Sequence, residues 1–106
     1  MDAMQVHAEL RLPPPVSGGQ KREDLLAFAL YCVARITRDL AGVDRWDLFV
    51  VGGLDGASDA VVRAHLGGVR IEARASACDP AHAIWESICE LEQPLRDAAA
   101  QRSAAA

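Results

Sequence analysis

Alternation of apolar and polar residues marks three segments of the chain as half-buried strands. Residues 4–12, 59–66 and 69–76 place apolar side chains at every second position, with mainly polar or charged residues between them. A period of two puts these sets on opposite faces of a sheet. Between the last two segments stands Gly67-Gly68, which suits a two-residue hairpin turn because glycine adopts positive φ readily. We therefore predict an antiparallel strand pair joined at these glycines.

A helix is predicted for residues 21–41, where apolar residues recur at steps of three and four. Acidic residues in its first turn and basic residues near its end suit the helix macrodipole, and Gly42 is a natural stop. Tyr31, Arg35 and Arg38 are expected to project opposite the apolar stripe. The stripe consists of Leu25, Ala29, Cys32, Val33, Ile36 and Leu40.

A second helix is predicted after Asp79, because an N-cap carboxylate followed by proline is a typical helix start. Its narrow apolar stripe consists of Ile84, Ile88, Leu91 and Leu95, with Trp85 on the flank. Pro94 cannot donate a hydrogen bond to the carbonyl of Glu90, so we expect a kink or an end to the helix there. Residues 99–106 are expected to fray, since they have little apolar surface to bury.

Another strand is predicted at residues 45–54, which are rich in β-branched and aromatic side chains. The glycine-rich residues 52–58 follow as a turn, and the proline- and glycine-rich residues 13–20 form a loop. The element order is then β-α-β-β-β-α. It predicts a single α+β domain over residues 4–98, a two-layer structure with a four-stranded sheet and two helices on one face. No predicted element remains to cover the other face.

The length of 106 residues fits one domain, and no apolar run approaches the ~20 residues that span a bilayer. The N-terminus lacks the pattern of a secretory signal, so we expect a cytoplasmic protein without membrane attachment. An odd number of cysteines, at Cys32, Cys78 and Cys89, then favours reduced thiols. The net charge of −4 argues against binding nucleic acid through overall charge, although a local basic face remains compatible with it.

The second predicted helix carries residues with metal-binding or catalytic chemistry, but their spacing does not favour a site. Cys78, His82 and Cys89 make three candidate zinc ligands, whereas structural zinc sites take four and commonly contain a close pair. His82 and Cys89 would lie roughly 10 Å apart along a helix axis, too far for a catalytic hydrogen bond. The glycines match no phosphate-binding motif. We therefore expect no enzyme activity, catalytic residue, metal or cofactor.

Arginines provide the best candidate surface. The outward positions of the predicted strands hold Arg11, Arg63, Arg70 and Arg74 together with His7 and His65. With Arg35 and Arg38 on the first helix, these side chains could bind phosphate groups. The alternative is an ordinary solvated face, because Glu9 and Glu72 lie among the arginines.

The element order and the C-terminal part of the chain resemble the short ribosome hibernation factors, the family of hibernation promoting factor and ribosome-associated inhibitor. The similar stretch is DAVVRAHLGGVRIEARASACDPAHAIWESICELEQPL, residues 59–95. Positions in register with the family are Asp79, Ala83, Ile84, Ile88, Leu91 and Leu95. The first helix leading into VDRWDLFVV is also similar. Most of these positions belong to the core or to a helix cap, so the resemblance supports the fold more than the function.

The resemblance implies a non-enzymatic protein that occupies the decoding channel of the small ribosomal subunit and blocks translation. Arginines would contact rRNA phosphates with little reading of bases. The candidate residues are Arg35, Arg38, Arg63, Arg70 and Arg74, with Arg96 as a weaker candidate. The family's lysine-rich end of the last helix is missing here.

An alternative function is a protein-interaction or regulatory module that uses the open sheet face or an edge strand to bind another chain or form a homodimer. A similar strand-strand-helix ending also occurs in small-molecule regulatory domains.

Overall fold

The computed structural model describes residues 5–12, 22–40, 42–53 and 57–105, and for residues 103 and 105 only the backbone. The elements in order are β1 (Gln5–Arg11), α1 (Arg22–Thr37), β2 (Val43–Gly52), β3 (Ser58–Leu66), β4 (Val69–Ala77) and α2 (Pro80–Ala105). The predicted β-α-β-β-β-α order is therefore confirmed. The predicted loop at 13–20 and part of the predicted turn at 52–58 lie outside the described residues.

The four strands form one sheet in the order β1-β2-β3-β4. β1 runs parallel to β2, and β2, β3 and β4 form an antiparallel meander. At the β3–β4 turn, Gly67 and Gly68 have φ values of +54° and +87°. Positive φ at both central positions defines a type I′ turn, whose twist matches that of the flanking strands. The predicted hairpin is thus confirmed.

Both helices lie on one face of the sheet and enclose the hydrophobic core. α2 packs along β3 and β4, while α1 packs against α2 and beside β1. Trp46 is the largest fully buried side chain, and Cys32 of α1 is also fully buried, as expected for a small core residue. The core strands contribute Leu10, Trp46, Leu48, Val50, Ala60, Val62, Ala64 and Leu66. The predicted two-layer arrangement is observed, and within the described ranges no helix or strand covers the second face.

The capping of α2 is confirmed, since the backbone N–H of His82 donates to Oδ1 of Asp79 at 2.9 Å. The helix does not end at Pro94, since α2 continues to Ala105. Pro94 is exposed and its neighbours Leu91 and Leu95 are fully buried, so packing on both sides of the proline offsets the missing backbone bond. That residues 99–106 fray in solution stays a prediction. Neither helix in the described ranges is long and apolar enough to cross a membrane.

Candidate nucleic-acid interface

The face of the sheet opposite the helices is a regular grid of mainly polar side chains. Strand pairing in register aligns its residues in rows that run across all four strands. From one end to the other the rows are Gln5-Arg45-His65-Arg70, His7-Asp47-Arg63-Glu72, Glu9-Phe49-Val61-Arg74 and Arg11-Val51-Asp59-Ser76. We call this surface the open face. It contains four of the predicted outward arginines and both predicted histidines.

Most cations of the open face are paired with acids on the same face. Arg63 donates from Nε to Oε1 of Glu72 at 2.5 Å, and Nη2 of Arg74 lies 3.4 Å from Oε2 of the same carboxylate. The hydrogen bond from Arg63 is the main reason why the pKa of Glu72 falls below its usual value. Arg11 lies 3.6 Å from Glu9. These arginines therefore meet carboxylates before they meet any partner, as the solvated-face alternative expected.

A buried carboxylate organises the row nearest the hairpin. Asp47 accepts hydrogen bonds from Nε of Arg45 at 3.0 Å and from Nε2 of His65 at 2.8 Å, and only 8% of its side chain is exposed. Burial acts to raise the pKa of Asp47, but the bonds from His65 and Arg45 outweigh it and lower the pKa. No role for Asp47 was predicted from the sequence. The available signal was an acid two residues after Arg45 on the same face of the strand.

Phe49 and Val61 form the apolar centre of the open face. The guanidinium of Arg63 lies 5.4 Å from the centre of the Phe49 ring, a cation–π distance, and the His7 imidazole meets the same ring edge-on at 6.1 Å. Arg63 is thus held by a carboxylate and a ring together. This double contact makes it the least available cation of the open face.

Two of the candidate arginines lie between the helices and bind a shared carboxylate. Nη2 of Arg35 lies 3.4 Å from Glu92, and Arg96 binds the other oxygen of Glu92 at 3.1 Å. Arg35 also lies 5.2 Å from the ring centre of Trp85, and Arg96 lies 3.8 Å from Asp39. Arg35 was expected to project opposite the apolar stripe of α1, and its side chain there is partly covered by α2. α2 packs alongside α1, so a position opposite the stripe of α1 faces a neighbouring helix.

Three arginines make neither an ion pair nor a side-chain hydrogen bond with any residue in the described ranges, namely Arg38, Arg70 and Arg102. All three lie at the end of the molecule that holds the Gly67-Gly68 turn. Arg70 begins β4 just after the turn, and the guanidinium of Arg102 lies in the space that a side chain at Gly67 would fill. Arg38 follows the end of α1, whose connection leads to the start of β2 beside Leu66. We call these three residues the turn-end arginines.

The opposite end of the molecule is acidic. Glu23 and Asp24 lie in the first turn of α1, Asp59 lies at the start of β3, and Asp79 caps α2. The turn end also holds Asp39, which pairs with Arg96, and Asp44 at the start of β2, so the two ends differ mainly in the unpaired arginines that the turn end carries. Arg102 belongs to the segment 99–106, which was expected to fray, and was not among the candidate residues. Its position became evident only once α2 was seen to continue past Pro94.

His82 and Cys89 of α2 each have surroundings that do not activate the thiol. Nε2 of His82 lies 2.9 Å from Glu86, one helical turn away. Burial raises the pKa of the Cys89 thiol, and the Arg35 charge offsets this only in part. A raised pKa lowers the thiolate fraction, which is the reactive form. Among the residues with described positions, no cluster of three histidines, cysteines or acids is placed to hold a metal.

Two solved structures share this fold with the chain. A ribosomal subunit interface protein from Coxiella burnetii superposes with a TM-score of 0.72 and 17% identity, over 92% of this chain and 99% of that one. The N-terminal domain of Thermus thermophilus Protein Y gives a TM-score of 0.71 and 15% identity, over 89% and 98%. No protein-family model matches the sequence, and neither does any curated protein. At the level of the fold, the chain is similar to this ribosomal subunit interface protein and to the Protein Y N-terminal domain.

Proposed function

We propose that this protein is a non-enzymatic ribosome-binding factor that contacts rRNA phosphates of the small subunit and thereby inhibits translation. The observation that carries the proposal is the coincidence of two features. The fold is that of ribosomal subunit interface proteins over nearly their whole length, and the chain presents the turn-end arginines together at one end. Arginines that are not paired with carboxylates bind phosphate more readily than arginines that must first give up an ion pair.

The ion pairs divide the candidate arginines into three groups. Arg38 and Arg70 have no acidic partner among the described residues and are the primary candidates, joined by Arg102. Arg63 and Arg74 share Glu72, and exposed pairs of this kind are worth about 0–1 kcal/mol, so phosphate could displace the carboxylate.

Arg35 and Arg96 form the third group. They meet at Glu92 between α1 and α2, and we assign them to holding the helices together.

Charge distribution gives the proposed complex an orientation. RNA attracts the end with the turn-end arginines and repels the end that carries Asp59 and Asp79, so the hairpin turn leads into the binding site. A type I′ turn of two glycines is narrow and adds no side chain of its own. The backbone at Gly67 and Gly68 can therefore come close to a phosphate chain while Arg70 and Arg102 flank it.

Co-sedimentation with purified small ribosomal subunits over a range of salt concentrations tests the proposal. The wild-type protein is expected to pellet with subunits at low salt and to dissociate as salt rises, because bound counterions are released when arginines neutralise phosphates. Each of Arg38→Glu, Arg70→Glu and Arg102→Glu is expected to weaken binding and to reduce the slope of log K against log salt by about 1. In a translation assay, the same variants should lose inhibition in proportion.

The matched control is Arg11→Glu, which changes the net charge by the same amount on the same open face. Arg11 lies in the row farthest from the hairpin turn and is paired with Glu9. This variant should bind ribosomal subunits almost as well as the wild type. Absence of binding at every salt concentration would refute the proposed function. Equal losses for Arg11→Glu and Arg70→Glu would refute the turn-end arginines as its site.

A further inference from the structure

The outer edge of β4 is an open strand edge. β4 has nine residues without proline, and its register with β3 is continuous from Val69 to Ala77. Among the described strands it pairs only with β3. At the other edge of the sheet, Nη1 of Arg22 donates to the carbonyl of Leu10 in β1 at 3.2 Å, so that edge is partly satisfied within the chain. Long, regular, uncapped edges are the surfaces on which a further strand adds.

The hairpin turn determines which backbone groups of β4 point outward. In a two-residue type I′ hairpin, the residues that flank the turn, here Leu66 and Val69, form a hydrogen-bonded pair. From there, non-hydrogen-bonded and hydrogen-bonded pairs alternate along the two strands. Val69, Ile71 and Ala73 therefore direct their N–H and C=O groups to β3. The backbone N–H and C=O groups that point away from β3, out of the edge of the sheet, belong to Arg70, Glu72, Arg74 and Ser76. These same residues have side chains on the open face.

We propose that two copies of this chain pair antiparallel through their β4 edges, with Ala73 of each copy at the two-fold axis. In this register Glu72 of one copy stands opposite Arg74 of the other, and the reverse pair forms on the other side of the axis. Both pairs are at hydrogen-bonded positions. The same register therefore pairs the outward backbone groups and places opposite charges across from each other. The two sheets then continue as one eight-stranded sheet, a closed pairing of identical surfaces.

Charge complementarity and the length of the ladder together select this register. An axis at Ile71 would also put Arg70 opposite Glu72 of the other copy, but it would pair only residues 69–73, whereas the axis at Ala73 pairs all nine residues of β4. An axis at Glu72 would put the two Glu72 side chains opposite each other and Arg70 opposite Arg74 of the other copy. An axis at Arg74 would put two arginines together. Like charges directly opposite each other destabilise a strand pair. On the helix-covered face, the Ala73 side chains of the two copies face each other. Alanine is small enough for the close approach of the backbones at a non-hydrogen-bonded pair.

One feature of the edge opposes tight association. Glu86 and Glu90 of α2 line a shallow pocket of about 390 Å³ together with Arg74 and Ala75 of β4. Pairing through β4 brings these carboxylates toward those of the other copy. The resulting repulsion limits affinity, so we expect association that depends on protein concentration. The interaction does not require the ribosome and is independent of the proposed function.

Charge reversal in two separate variants tests the register. In a homodimer, Arg74→Glu leaves only acids facing each other across the axis, and Glu72→Arg leaves only arginines. Each variant alone should therefore sediment as a monomer at concentrations where the wild type associates. An equimolar mixture should associate again, because one strand then presents two acids to two arginines of the other. Sedimentation velocity gives the masses, and circular dichroism confirms that both variants are folded. A mixture that stays monomeric would refute the Glu72–Arg74 pairing.

Disulfide trapping tests the axis directly. In a background with Cys78→Ser and Cys89→Ser, Ala73→Cys puts two thiols at a non-hydrogen-bonded pair, where the Cα atoms lie about 4.5 Å apart and a disulfide fits. The control Ala77→Cys lies on the same strand and face, but in this register the two thiols stand about 27 Å apart. Mild oxidation should give a covalent dimer from Ala73→Cys at least 10-fold faster. Equal rates, or a wild type that is monomeric at all concentrations, would overturn the proposal.

Discussion

The two faces of the sheet belong to the same four strands, but different interactions stabilise them. On the helix-covered face, the side chains of the two central strands are mainly apolar and almost fully buried, as at Leu48 and Val62. On the open face, adjacent residues such as Asp47, Phe49 and Arg63 form hydrogen bonds, ion pairs and ring contacts. Burial supplies most of the stability of the first face, whereas the second contributes little to folding and remains available for binding.

Alanine substitutions at the neighbouring residues Leu48 and Phe49 should show this contrast most strongly. Leu48 is 2% exposed in the core, and its truncation leaves a cavity, so Leu48→Ala should lower the free energy of unfolding by about 2–5 kcal/mol. Phe49→Ala removes a half-exposed ring that contacts Arg63 and should cost about 1 kcal/mol. Urea denaturation of both variants measures the difference. Similar losses would contradict the assignment of stability to the covered face.

The division into two faces could be predicted from the sequence because it depends only on alternation along each strand. The pairings on the open face could not, since they depend on the register between strands. Glu72 lies opposite Arg63 only because the two-residue turn at Gly67-Gly68 aligns β3 with β4. Asp47 reaches His65 by the β2–β3 register, which includes an irregularity between Val43 and Arg45.

The exposure of the candidate arginines could be predicted only in part, because it also depends on tertiary packing. Arg38 and Arg70 were identified correctly as exposed, because helix and strand periodicity places them there. Arg35 was not, since its environment is determined by how α2 packs against α1. Arg102 was omitted from the candidates because a proline was expected to interrupt α2, and only tertiary packing reveals the continuous helix. The sequence contains the cations, but the fold determines which remain unpaired.

Substitutions at the neighbouring residues Val61 and Val62 compare the contributions of the two faces to stability with a smaller change in side chain. Threonine keeps the β-branched shape and adds a hydroxyl group. Val62 is fully buried, so Val62→Thr leaves the hydroxyl without water and should cost about 1–3 kcal/mol. Val61 is half-buried on the open face, and Val61→Thr should change stability by less than about 0.5 kcal/mol. Equal effects in thermal or urea unfolding would mean that the open face is covered in solution.

Asp47 is the exception to the contrast between the faces, because it is a buried group on the open face. Its carboxylate receives charge-assisted hydrogen bonds from Arg45 and His65. Asp47→Asn keeps the shape but removes the charge, so we expect a loss of about 1–2 kcal/mol at neutral pH. Glu9→Gln is the matched control, since Glu9 on the same face has one weaker and more exposed pair with Arg11. It should leave stability nearly unchanged.

The pH dependence of Asp47→Asn separates a charge effect from a packing effect. The pKa of Asp47 is lower in the folded protein than in the unfolded chain, so the unfolded chain binds a proton first as the pH falls. The stabilisation by Asp47 is complete above the unfolded pKa of about 3.9 and is lost as the pH falls through the lower folded value. The wild type should therefore lose more stability than Asp47→Asn below about pH 4, and the two unfolding curves should converge there. A difference that stays constant with pH would show that the loss in Asp47→Asn does not come from the ionisation of Asp47.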